Sequence, residues 1–172
     1  MKDFMSLAEE RFSVRDFSDR PIEPEKMDKL MHAAKIAPTA GNRQPFRIYI
    51  LKSEAALAKI RGLTRCAFNA PVVLLMTYNT DEQWQNPIEA GIVSGQQDVS
   101  IIATHIMLEA WDLGIGSCWV NLFPNSETER AFDLPENERA VLLMPIGYAA
   151  ENVKPAPRHT EYRDMAELVK TL

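Results

Sequence analysis

The sequence predicts a layered domain of helices mixed with four or five short strands, an α/β or α+β architecture. Three observations carry this. "PVVLLMTY" (71–78) and "AVLLMPIGYA" (140–149) are continuous apolar runs of strand length, the pattern of strands buried on both faces. "FRIYILK" (46–52) alternates well enough for a third strand. Around them, apolar residues recur at helical spacing, most clearly Met27, Leu30, Met31, Ala34 and Ala37. The chain has 172 residues, 46% hydrophobic and 25% charged, with no internal repeat or low-complexity tract. That is enough to bury a sizeable core, and one domain over 1–172 is expected.

Each element has a local reason. Residues 3–12 read as a helix with Phe4, Leu7, Ala8 and Phe12 on one face. After the polar stretch "SVRDFSDRPIEPE", Pro24 and Glu25 open a second helix, because proline suits a first turn and a carboxylate suits the positive helix end. Pro38 ends it. Ser53 caps a helix over 53–63. Residues 79–95 lack periodicity and read as a long loop around Trp84, of the kind that serves as a lid. In the helix over 96–114, Val99, Ile101, Ile102, Ile106, Met107, Leu108, Ala110 and Trp111 cover most of the circumference. Such a helix is buried in a large core or against a partner, and in a chain of this size a partner subunit is expected. Gly114 provides its C-terminal cap. "IGSCWVNLF" reads as a strand and "SETERAFDL" as a helix capped by Ser126. The Pro-rich tail begins extended and closes with a short helix.

Composition narrows the function. A net charge of −5 argues against a nucleic-acid or membrane surface. No apolar run approaches the roughly 20 residues needed to span a bilayer. The N-terminal "MKDFMSLAEERF" is acidic where a signal peptide is apolar, so a cytoplasmic location is expected. Cys66 and Cys118 have no metal-ligand or CxxC spacing and read as small apolar residues rather than redox thiols, so neither a disulfide framework nor a zinc site is expected. Glycine-rich nucleotide fingerprints, phosphate loops, zinc-protease and nucleophile-elbow motifs are all absent from the sequence. Against the acidic background arginines pair up, Arg11 with Arg15, Arg43 with Arg47 and Arg61 with Arg65, which suggests local anion sites. Groups that bind phosphates and amides, without an obvious acid, base or nucleophile, suit a protein whose chemistry belongs to a bound cofactor.

Two segments carry that reading. In "RFSVRDF", Arg11, Ser13 and Arg15 alternate, so an extended chain points all three to one side. Two guanidinium groups flanking a hydroxyl can hold a phosphate or a polarised carbonyl, although a frayed helix end with surface arginines has the same sequence. In "APTAGNRQPFRIYI", Gly41 permits a positive φ or a close approach, and Asn42 and Gln44 supply donors and acceptors for an amide-rich ring edge. Gly41 and Asn42 serve equally to build a turn.

"RFSVRDFSDRPIE", "AAKIAPTAGNRQPFRIYIL", "DVSIIATHIMLEAWDLGIGSCWVNLF", "MPIGYAAE" and "KPAPRH" follow one another as in the FMN-dependent nitroreductases, and the chain resembles a short member of that family. The resemblance implies an α+β fold with a central mixed, mainly antiparallel sheet flanked by helices, assembled as an intertwined homodimer with FMN at the interface. It assigns Arg11, Phe12, Ser13 and Arg15 to the flavin phosphate and pyrimidine edge, with Arg158 completing the phosphate site. Pro38, Thr39, Ala40 and Asn42, with Gln44 nearby, come from the other subunit. Asn121 and the backbone of Leu122 lie near flavin N5, and Arg65 reaches the ring. Trp84, Trp119 and Phe123 are candidates to line the open face. The implied activity is ping-pong transfer from NAD(P)H to nitroaromatic, quinone or related acceptors, with no catalytic side chain. Dehalogenation, flavin breakdown or flavin binding without turnover are the alternatives on the same fold. Thr39-Ala40 stands where two serines are common, removing one hydroxyl, and Asn121 stands where many members have a carboxylate, which leaves substrate preference open.

Overall fold

A strand that is apolar along its whole length needs cover on both faces. The structure, a computed structural model that describes residues 3–172, provides it with helices on either side of a four-stranded antiparallel sheet. The elements run α1 (Phe4–Glu10), α2 (Pro24–Ile36), β1 (Phe46–Leu51), α3 (Glu54–Leu63), β2 (Val72–Asn79), α4 (Gly95–Asp112), β3 (Gly116–Ser117), α5 (Asn125–Ala131), β4 (Glu138–Gly147) and α6 (Met165–Leu168). The strand order is β1-β2-β4-β3. One parallel bridge, Ser13 to Ser117, adds the first extended segment to the β3 edge.

The strand period of two divides the core. Val72, Leu74 and Met76 of β2 join Leu142, Met144 and Ile146 of β4 beneath Val99, Ile102, Ala103, Ile106 and Ala110 of α4 and Leu30 and Ala34 of α2. Val73, Leu75 and Leu143 face the other way, onto Leu57 and Ile60 of α3 together with Val14, Phe17, Cys118, Val120 and Phe123. α4 packs so closely that a Cβ on Gly95 would lie 2.2 Å from the Tyr78 ring, so only glycine fits there. At the far end of the sheet the buried Glu138 carboxylate accepts from the Tyr49 and Thr77 hydroxyls, each at 2.8 Å. Burial, and then that hydrogen bond, pushes the Tyr49 hydroxyl up to about 12.

Three elements differ from expectation. The "IGSCWVNLF" strand pairs regularly only at Gly116–Ser117, followed by an isolated bridge from Val120 to Leu143. Opposite Cys118 stands Pro145, which accepts from the Cys118 N–H at 3.2 Å but has no N–H to return, so the ladder breaks. Asn125 rather than Ser126 opens α5, because the Pro124 carbonyl already accepts from the Thr128 N–H at 2.9 Å. α1 ends at Glu10 and buries no residue; Phe4 is exposed, and Phe12 lies beyond the helix. Residues 80–94 form the expected loop, closed by a bridge from Gln85 to Val93. Among the described residues no helix is long and apolar enough to cross a membrane.

A polar clamp ties α2 to the C-terminal end of α4. Tyr148 donates to Glu23 at 2.5 Å, while Lys26 donates to the Tyr148 hydroxyl at 2.7 Å and to the Leu113 carbonyl at 2.9 Å. Arg20 caps the Tyr148 ring 3.8 Å from its centroid. The Tyr148 hydrogen bond, foremost, lowers the Glu23 carboxyl from 4.5 to about 2. A carboxyl depressed on folding stabilises the native state above its unfolded value, and that contribution fades as pH falls from about 4.5 towards 2. We expect Tyr148→Phe to lower the urea midpoint at pH 6, and the gap to wild type to narrow as pH drops through that window.

Candidate functional site

The extended stretch after α1 is held along the β3 edge by its own backbone. The Val14 N–H donates to the Ser117 carbonyl at 2.9 Å with the Val14 side chain fully buried, and the Ser18 N–H donates to the Tyr148 carbonyl at 2.9 Å. Alternation then turns Ser13 and Arg15 outward, away from buried Val14. They meet Arg11, Phe12, Ala156, Arg158 and His159 around a cavity of about 180 Å³. Arg158 arrives on the tail turn Pro157–Thr160, which is docked by His159: its Nε2 lies 3.1 Å from the Glu9 carbonyl, and its ring meets Phe12 edge-on at 6.3 Å. Phe12 packs in turn on Trp111 of α4, ring centroids 5.1 Å apart. Among the described residues no carboxylate pairs with Arg11, Arg15 or Arg158, whereas Arg20, Arg47 and Arg163 each have one.

A second cavity, about 390 Å³, is lined by Leu63, Thr64, Arg65, Asn121, Leu122, Phe123 and Pro124. The Thr64 hydroxyl donates to the Leu122 carbonyl at 2.7 Å and accepts from the Cys66 N–H at 3.1 Å, fixing the Leu122 peptide against the turn that carries Arg65. Trp119 Nε1–H donates to Asn121 Oδ1 at 2.9 Å and so orients that amide. Cys118 lies next to the Arg11–Arg15 segment. Burial pushes its thiol up, while Arg15, Ser13 and Arg11 pull against that shift, so it stays a neutral thiol.

Pro38, Thr39, Ala40, Asn42 and Gln44 lie elsewhere. Gly41, Asn42 and Gln44 all adopt positive φ, 58°, 53° and 50°, so the turn is left-handed at three of four successive residues. Thr39 Oγ1 accepts from the Gln44 N–H at 3.0 Å, and Gln44 Nε2 donates to Asn42 Oδ1 at 3.1 Å. The turn is anchored by a residue that the sequence reading missed. Asp98, almost completely buried in the first turn of α4, accepts from the Ala40 N–H at 2.8 Å and from the Ser94 hydroxyl at 2.7 Å. Ser94 also accepts from the Trp84 N–H at 3.1 Å, and a Cβ on Gly41 would lie 3.6 Å from the Trp84 ring. Trp84 therefore backs this turn, whereas Trp119 contacts Asn121 and Phe123 lines the second cavity. The only signal for Asp98 was a carboxylate set among apolar residues in "QQDVSIIA".

The two halves of the expected site thus lie near opposite ends of α4. Asp98 holds one and Trp111 the other, and 13 helical residues at 1.5 Å each separate them by about 20 Å. One protomer does not bring them together. Between them α4 presents a stripe of Gln97, Ile101, Thr104, His105, Leu108 and Asp112 on the side away from its buried residues, with Ile101 37% exposed.

In this α+β frame the cavity at one end of the central helix is lined by three arginines that no described carboxylate pairs with, a donor set able to hold an anionic group. The sequence profile of the nitroreductase family matches residues 8–68 and 62–148, and the chain belongs to that family. A crystal structure of a nitroreductase family protein from Clostridium difficile 630 superposes with a TM-score of 0.92 at 32% identity, covering 99% of this chain and 100% of that one. A relative from Methanothermobacter thermautotrophicus, provisionally named NADH dehydrogenase/NAD(P)H nitroreductase, is 27% identical over 157 residues, 87% of this chain and 79% of its own. A protein from Exiguobacterium sibiricum, crystallised in complex with FMN, shares the fold with a TM-score of 0.84 at 17% identity, over 100% of this chain and 98% of that one.

Asp98→Ala leaves the buried Ser94 hydroxyl and the part-buried Ala40 N–H without this acceptor and should cost about 1–3 kcal/mol of stability. Asp98→Asn keeps an acceptor for Ala40 and should cost less. Urea unfolding followed by tryptophan fluorescence measures both.

Proposed function

We propose that this chain is an FMN-dependent oxidoreductase that uses NAD(P)H to reduce nitroaromatic, quinone or related acceptors. The observation that carries the reading is the cavity of Arg11, Ser13, Arg15 and Arg158, three guanidinium groups and a hydroxyl with no carboxylate paired to them among the described residues. That donor set matches the charge and acceptor geometry of a phosphate monoester. The FMN held by the Exiguobacterium protein and the NAD(P)H in the Methanothermobacter relative's name support the choice of cofactor and reductant.

When bound, FMN supplies the chemistry, hydride uptake at N5 and delivery of the electrons to a second substrate in a ping-pong cycle. The protein's residues would bind and orient it. Arg11, Ser13, Arg15 and Arg158 would hold the phosphate and the pyrimidine edge, with Phe12 packed behind them. Asn121 and Leu122, held by Trp119 and Thr64, form a wall for the ring. Arg65 beside them adds a positive charge, which favours the electron-rich form of a ring on that wall.

The 20 Å separation of the two halves gives the assembly its role. An antiparallel pairing of α4 with the α4 of a second copy would bring the Thr39–Gln44 turn of one chain to the Arg11–Arg15 segment of the other. It would also cover the Ile101–Leu108 stripe. The proposed functional unit is therefore a homodimer whose two sites are each completed by both subunits.

The purified protein should be yellow and should bleach anaerobically with NADH or NADPH. Arg15→Ala should weaken FMN binding about 10–100-fold, the scale of one charge-assisted hydrogen bond. Mixing Arg15→Ala subunits with Asn42→Ala subunits should restore FMN binding to about one site in two of the mixed dimers. A colourless protein that takes up no FMN, or a stable monomer in sedimentation, would refute the reading.

A further inference from the structure

The Arg61–Arg65 pair has a second use. A cavity of about 290 Å³ is lined by Arg61, Thr64, Arg65, Ala67, Phe68 and Asn69, and it shares Thr64 and Arg65 with the cavity of Asn121 and Leu122. The two spaces therefore meet along one wall, with Arg65 between them. Arg61 lies in the last turn of α3, and its Nη2 donates to the Ala70 carbonyl at 3.1 Å, which holds the guanidinium over the turn that follows. Phe68 and Asn69 take φ values of 50° and 54°, a paired left-handed kink that folds this turn back beneath Arg61. Among the described residues neither Arg61 nor Arg65 pairs with a carboxylate, in a chain with five more acids than bases. In contrast, Arg47 of the Arg43–Arg47 pair is neutralised by Glu82 at 2.6 Å.

An acid-free guanidinium next to the ring wall, but beyond it, has no task in holding FMN. The electron donor does need one. A nicotinamide dinucleotide that puts its reduced ring against the Asn121–Leu122 wall must lay its adenylate half, with its phosphates, along the neighbouring surface. In an acidic protein that surface repels it unless cations line it. We propose that the Arg61–Asn69 cavity binds the phosphates of the adenylate half of the NAD(P)H donor, with Arg61 as the main cation and Asn69 as a supporting donor. This rests on the flavin reading above and names the surface by which a dinucleotide is preferred over a mononucleotide.

The test uses the FMN-loaded protein with three donors: NADPH, NADH and reduced nicotinamide mononucleotide, which lacks the adenylate half. Arg61→Gln should raise KM for both dinucleotides, and the calorimetric Kd of NADP+, about 5–20-fold, leaving kcat within twofold. KM for the mononucleotide and for an uncharged quinone acceptor should not move. Asn69→Asp, which adds a negative charge to the cavity and leaves the Arg61–Ala70 hydrogen bond in place, should reproduce the pattern if Arg61→Gln folds poorly. Equal shifts for mononucleotide and dinucleotides, a shift in the acceptor KM, or no shift at all would overturn the proposal. A protein that takes up no FMN fails the flavin reading instead, and its lack of colour reveals that before any donor is added.

Discussion

Everything in this chain is arranged about the packing of one helix on one sheet. α4 buries Val99, Ile102, Ala103, Ile106 and Ala110 against Leu74, Met76, Leu142 and Met144, with Gly95 giving way to the Tyr78 ring. Close-packed interiors do not slide, so the two ends of the helix are fixed points. Asp98 holds the Thr39–Gln44 turn at one of them, and Trp111 receives Phe12 and the arginine segment at the other. The length of α4 thus sets a distance that no side chain can span. A site built from both ends would have to be shared between subunits, as the proposed dimer provides.

Charge follows a second rule. Arginines with structural tasks are paired or capped: Arg20 with Glu23 and the Tyr148 ring, Arg47 with Glu82. Those lining the cavities have no carboxylate partner among the described residues, although acids outnumber bases in the chain. A guanidinium beside a concave surface with no carboxylate partner keeps most of its five donors for a ligand, even where one serves a backbone carbonyl as in Arg61, and no ion pair has to break when an anion arrives.

Much of the fold was legible because it rests on periodicity. β2 and β4 read as continuous apolar runs and are buried on both faces; in the stripe of α2, Leu30, Ala34 and Ala37 are buried, Met27 and Met31 half-buried, and Ala33 joins them. The strand after Gly114 was overestimated because the limit lies on its partner: Pro145 cannot return a hydrogen bond to Cys118. α1 shows the opposite error, a plausible apolar face that is only half covered: Leu7 and Ala8 are half-buried beside α4, while Phe4 is exposed. On the site side, Arg11, Ser13 and Arg15 were visible as an alternation, and Arg158 could be attached to them only through the resemblance. Asp98 and Ser94 were not visible, because a Ser and an Asp near a helix start read as caps until the partner across 58 residues is known.

By itself, the sequence determined the strands, most of the helices, the family motifs and the excess of donors in two short segments. These are local properties, written in the period of apolar residues and in the chemistry of neighbours. Only the tertiary structure decided that the two donor-rich segments lie at opposite ends of α4 and that Arg61 opens onto its own cavity. Those facts depend on which side chains pack across the sheet and on a helix rise of 1.5 Å per residue, and no stretch of sequence contains them.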